Sequence, residues 1–81
     1  MRDETIELFG KVLQETRKQL SMTQAELAFA SNLGRPYISQ LENGKLAPSL
    51  LTLFSLAEAL NEAPSTLLRR VELRLSQRQQ K

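Results

Sequence analysis

The sequence predicts an all-α domain of five helices. Three observations lead there: apolar residues recur every three or four positions along the whole chain, strand-like alternation is absent, and the few turn-forming residues fall between the periodic stretches. With 81 residues, 41% of them hydrophobic, the chain has material for one core.

The first helix, about Thr5 to Leu20, carries Ile6, Phe9, Leu13, Thr16 and Leu20 on one stripe, with Asp3, Glu4 and Glu7 near its positive N-terminal end. Ser21 and Met22 interrupt it. The second opens on Thr23-Gln24-Ala25-Glu26, a capping box in which the Thr23 hydroxyl accepts from the Glu26 amide and the Glu26 carboxylate accepts from the Thr23 amide. It runs to about Ser31. Asn32-Leu33-Gly34 reads as a tight turn, since asparagine and glycine tolerate left-handed backbone angles.

Pro36 suits a first helical turn, where its missing N–H has no intrahelical acceptor, so the third helix covers Arg35 to about Asn43 and stops at Gly44. Ile38 and Leu41 are its inward pair. After the loop Lys45-Leu46-Ala47-Pro48, Ser49 caps a fourth helix with Leu50, Leu53, Phe54, Ala57 and Leu60 along its buried side, ending at Asn61. The fifth starts near Pro64 and presents Leu67, Leu68, Val71 and Leu75 on one side. Residues 1–75 therefore form the domain, and residues 76–81 are expected to be a frayed polar tail.

Composition excludes much chemistry. Cysteine and histidine are both absent, which removes disulfides, thiolate or imidazole metal sites, and cysteine or histidine catalysis. No metal, cofactor, small-molecule ligand or enzymatic activity is expected. No stretch approaches the roughly 18 apolar residues of a membrane span, and no apolar segment follows the charged start, so a cytoplasmic protein without a secretion signal is expected. A domain this small commonly gains stability from a partner subunit.

The net charge of +2 is unevenly distributed. Arg69, Arg70, Arg74, Arg78 and Lys81 against Glu72 give +4 from residue 69 onward, leaving −2 for residues 1–68. A nucleic-acid site in the first part would depend on where Lys18, Arg35 and Lys45 point, and not on bulk potential.

Two short helices joined by a three-residue turn, with apolar anchors Leu27, Leu33, Ile38 and Leu41, have helix-turn-helix geometry. With Ile38 and Leu41 turned inward, the opposite side of the third helix presents Pro36, Ser39, Gln40 and Asn43, with Arg35 at the tip and Tyr37 on a flank. Arg35 can donate twice to guanine, Gln40 can read adenine or accept from a base donor, and Ser39 can bond base or phosphate. Gln24, at the start of the second helix, suits a phosphate, as do Asn43 and Lys45 at the far end of the third. Plainer readings stand beside these: a solvated Arg35 or Lys45, and a partly buried Tyr37 ring in place of a phosphate contact.

The residues Phe9-Gly10, Leu13, Arg17, Met22-Thr23-Gln24, Glu26-Leu27-Ala28, Tyr37 to Gly44, Pro48-Ser49, Leu53 and Ala57 to Leu60 resemble the Cro and repressor-type helix-turn-helix family. The resemblance covers roughly Phe9 to Leu68 and implies a lambda-repressor-like five-helix fold. Within the family, Arg35-Pro36-Tyr37-Ile38-Ser39 and the short length look most like the controller proteins of restriction-modification systems. The resemblance implies DNA contact at Gln24, Arg35, Tyr37, Ser39, Gln40 and Asn43, and a structural ion pair between Arg17 and Glu42. The chain departs from the family pattern at Asn32, Gly34, Pro36, Phe29 and Glu62. Phe29 falls on the outer side of the second helix, and Glu62 stands where an apolar residue is usual.

The function so implied is a sequence-specific transcriptional regulator acting on palindromic double-stranded DNA as a symmetric homodimer, with RNA polymerase as a possible further partner. Leu46, Leu51 and Leu73 are apolar residues that one small core need not consume, and they are assigned to the dimer interface. The alternative is an antitoxin-like protein-interaction module that also regulates its own operon.

Overall fold

The computed structural model describes residues 4–79, which form α1 (Glu4–Gln19), α2 (Gln24–Ser31), α3 (Arg35–Glu42), α4 (Leu50–Ala59) and α5 (Pro64–Gln79). No strand occurs among the described residues. Helix α1 packs along α5 and against α3, α2 lies between α3 and α4, and α4 closes onto α5. Leu13, Leu27, Ile38, Leu41, Leu56, Leu60 and Leu67 are the largest side chains fully removed from solvent. Every helix thus sends at least one leucine or isoleucine into a shared core.

Local signals end the helices where the sequence places them. Thr23 and Glu26 form both halves of the capping box, and Ser49 Oγ accepts from the Thr52 amide at 3.1 Å. Asn32 stands at φ 59°, in the left-handed region, and the amides of Asn32 and Leu33 return to carbonyls of the last α2 turn. Gly34 does not share that conformation. It is extended, at φ −75°, and caps α3 without a side-chain bond.

Four packing expectations are corrected. Leu20 lies beyond the end of α1 and is exposed, because Ser21 at φ 58° turns the chain away from the core. Leu8 and Val12 are buried instead, since α1 is covered on two sides by α3 and α5 and hides a wider arc than one stripe. On α4 the buried set is Leu53, Leu56 and Ala57, continued by Leu60 at its C-cap, whereas Leu50 and Phe54 are 70% and 54% exposed. A helix this rich in leucine permits more than one rotational phase, and packing against α2 and α5 selects this one. The polar segment from Ser76 continues α5 to Gln79, where Arg78 pairs with Glu4 of α1. The remaining two residues of the expected tail, Gln80 and Lys81, lie outside the described residues.

One crossing depends on a missing side chain. A Cβ on Gly10 would stand 2.7 Å from the carbonyl oxygen of Glu42 and closer still to that of Leu41. Glycine therefore lets α1 touch the backbone of α3 at the end of that helix.

Candidate nucleic-acid interface

Helix α3 is short and one-sided. Ile38, Leu41 and Glu42 are buried, Arg35, Pro36, Gln40 and Asn43 are exposed, and Tyr37 and Ser39 are half-buried between them. Pro36 occupies the first turn. The Tyr37 ring packs against the core, which fixes the flank of α3 and favours the partly buried reading of this aromatic. The Asn43 side-chain amide donates to Ser39 Oγ at 3.4 Å, so these two polar groups lie together one turn apart. Lys45 follows on the exposed loop, after Gly44 has reversed the chain at φ 72°.

Behind this face lies a buried polar cluster. Arg17 Nε donates to Glu42 Oε2 at 2.6 Å and Arg17 Nη2 to Glu42 Oε1 at 3.0 Å, a two-pronged pair whose side chains are 8% and 1% exposed. Arg17 Nη1 also donates to the Met22 carbonyl at 2.7 Å, just before the α2 cap. The hydrogen bond to Glu42 raises the Arg17 pKa above the ordinary arginine value; burial opposes this and the carboxylate charge adds to it. The ion pair ties α1 to the end of α3 and to the start of α2.

Gln24 is not a free side chain at the α2 start. Its Nε2 donates to Glu42 Oε1 at 2.9 Å, and Gln14 Nε2 reaches the same oxygen at 3.5 Å. Sequence reasoning missed both contacts. Gln14 is three residues before Arg17 on the same helix face, the one hint the sequence offers.

The basic fifth helix turns out to be a clasp. Arg70 pairs with Glu62 at 3.4 Å and donates to Thr16 Oγ1, Arg74 pairs with Glu15, and Arg78 pairs with Glu4. Its arginines, four residues apart, therefore meet α1 and the α4–α5 turn, and Glu62 gains a cationic partner in place of an apolar contact. Among the described residues, Lys11, Lys18, Arg35, Lys45 and Arg69 take part in none of these ion pairs. The cations left over in the first part of the chain thus include the two beside the α3 face.

Leu46, Leu51 and Leu73 are all exposed, Leu51 at 80%. Leu50 and Phe54 join Leu51 on the open side of α4, a consequence of the helix phase described above. Phe29 projects from the outer side of α2 with 91% of its surface exposed. None of the described helices is long and apolar enough to cross a membrane.

Residues 13–67 match the helix-turn-helix family HTH_3. The chain is 36% identical over 52 residues to the ImmF control region 10 kDa protein of Bacillus phage phi105, covering 64% of this chain and 58% of that protein. It thus spans less than two thirds of this relative. The structure superposes on the restriction-modification controller protein C.AhdI from Aeromonas hydrophila with a TM-score of 0.75 and 37% identity, covering 76% of this chain and 94% of that one. It also resembles the restriction-modification controller C.Esp1396I, solved as a tetramer in complex with its natural 35 base-pair operator, with a TM-score of 0.73, 25% identity, and coverage of 83% and 93%.

Proposed function

This chain belongs to the Cro/C1-type helix-turn-helix family of transcriptional regulators, and from that premise we propose that it binds palindromic operator DNA as a symmetric homodimer. The observation that carries the reading is the α3 face: Arg35, Gln40 and Asn43 are open to solvent on a helix locked from behind by Ile38, Leu41 and the Arg17–Glu42 pair. Arg35 and Gln40 read base edges, with Ser39 and Pro36 shaping the contact, while Gln24, Asn43 and Lys45 hold phosphates and the Tyr37 ring braces the flank of α3. The likeness to controller proteins and to a phage control-region protein favours this reading over an antitoxin-like module.

Dimerisation uses the apolar side chains that the core leaves out. Leu46, Leu51 and Leu73 are joined in this role by Leu50 and Phe54, so the loop after α3 and the open side of α4 carry most of the surface. Such an interface holds two reading helices about 34 Å apart, one turn of DNA. Control of a restriction-modification system is the proposed biological setting, with the protein cytoplasmic and RNA polymerase its further partner when it activates. Selection of bound sequences from a random duplex pool tests the reading. The expected result is an enriched palindrome with half-sites about 10 base pairs apart; recovery of the pool unenriched would overturn it.

A further inference from the structure

Glu42 closes the helix proposed to read bases, yet every side chain it holds comes from α1 or α2. Arg17 supplies a full positive charge and two hydrogen bonds, which already balance a buried carboxylate. The bond from Gln24 Nε2 to Oε1 at 2.9 Å is additional. A carboxamide is planar, with two N–H groups and one oxygen in fixed directions. Once one N–H is committed to Glu42, the directions of the other N–H and of Oε1 are set as well.

We propose that Glu42 is a positioning residue for DNA binding, holding the Gln24 carboxamide so that its second N–H meets the backbone phosphate. The proposal rests on the reading of Gln24 as a phosphate ligand given above. Arg17 has a second part in it, because it cancels the carboxylate charge that would otherwise repel that phosphate. A glutamine held in place before DNA arrives does not lose its rotamer freedom on binding, and this accounts for a gain of about threefold to tenfold in affinity.

The test replaces phosphates of the selected duplex one at a time with uncharged methylphosphonate and compares wild type, Gln24→Ala and the double variant Arg17→Met/Glu42→Leu. The double variant exchanges the buried pair for apolar side chains, a change that buried ion pairs often tolerate, and leaves Gln24 without its anchor. In wild type, one phosphate in each half-site should show a penalty that Gln24→Ala abolishes. In the double variant that penalty should shrink at least threefold, while the penalty at the phosphate assigned to Lys45 stays at its wild-type value. A purely structural pair would not discriminate between the two phosphates. A full penalty at the Gln24 phosphate in the folded double variant overturns the proposal. If instead Gln24→Ala leaves every penalty unchanged, the phosphate reading of Gln24 has failed and the positioning role goes with it. A measurement on the wild type alone guards against a variant that does not fold. The Gln24 side-chain amide in the DNA-free protein should have an NMR order parameter near that of rigid backbone, about 0.85, and a value below about 0.6 overturns the proposal.

Discussion

Replacing Gly10 with alanine should destabilise the protein, although alanine is the better helix former by about 1 kcal/mol. The added methyl would lie 2.7 Å from the Glu42 carbonyl oxygen and 3.0 Å from its carbonyl carbon, with the Leu41 oxygen nearer still. Carbon and oxygen normally approach no closer than about 3.3 Å, so α1 and α3 must separate by roughly 0.6 Å or more. The obstacle is backbone, with no flexible side chain that could swing aside. The end of α3 is also held by the Arg17–Glu42 pair, which limits how far it can yield. Overpacking of this kind costs about 1–3 kcal/mol, and here the upper end applies because two peptide oxygens are displaced. Subtracting the helix-propensity gain leaves a net loss of about 1–2 kcal/mol. For a domain of this size that lowers Tm by roughly 5–15 °C. Thermal melts and urea titrations followed by circular dichroism measure it. A Gly10→Ala protein that melts at or above the wild-type temperature would refute the reasoning.

Arg17→Ala strands the Glu42 carboxylate, and a loss of about 3–5 kcal/mol in urea unfolding is expected; stability within 1 kcal/mol of wild type would show that solvent reaches the carboxylate. Arg35→Ala should lose preference at one base position, whereas Lys45→Ala should weaken all sequences alike and reduce the salt dependence of binding by about one unit of slope. Binding profiles over a randomised duplex pool separate the two, and unchanged specificity in Arg35→Ala removes it from the reading set. Leu51→Asp should lower the sedimentation mass toward the monomer and weaken operator binding, while weak nonspecific DNA binding remains. Leu73→Asp tests the α5 side of the same interface, and wild-type sedimentation in both variants would place the interface on another surface.

The arginines of α5 show how charge counted along a chain differs from charge displayed on a surface. Counted along the sequence, the segment from Arg69 onward carries +4 and is the most basic part of the chain. In the fold, Arg70, Arg74 and Arg78 face acids on α1 and on the turn before α5. These pairs are exposed or half-exposed, so each contributes little to stability, but together they keep α5 alongside α1 beyond its last buried apolar residue, Val71.

The sequence by itself determined what depends on neighbours within about four residues. The Thr23–Glu26 capping box, the Ser49 cap, the left-handed turn at Asn32, Pro36 in the first turn of α3 and the chain reversal at Gly44 are all short-range, because hydrogen-bond reach and allowed backbone angles are local properties. They fixed the five helices and made the exposed face of α3 readable from helical spacing alone. The Arg17–Glu42 pair joins residues 25 apart, and it became visible early only through resemblance to a known pattern. The tertiary structure decided the rest. The phase of α4, which buries Leu56 and exposes Leu50 and Phe54, depends on which neighbours arrive, since leucines occupy both sides of the helix. Gln24 is drawn to Glu42 and not left open at the α2 start, and Gly10 is needed only because α3 crosses at that point. Each of these joins groups from separate helices, and periodicity along one helix carries no information about the direction from which another will approach.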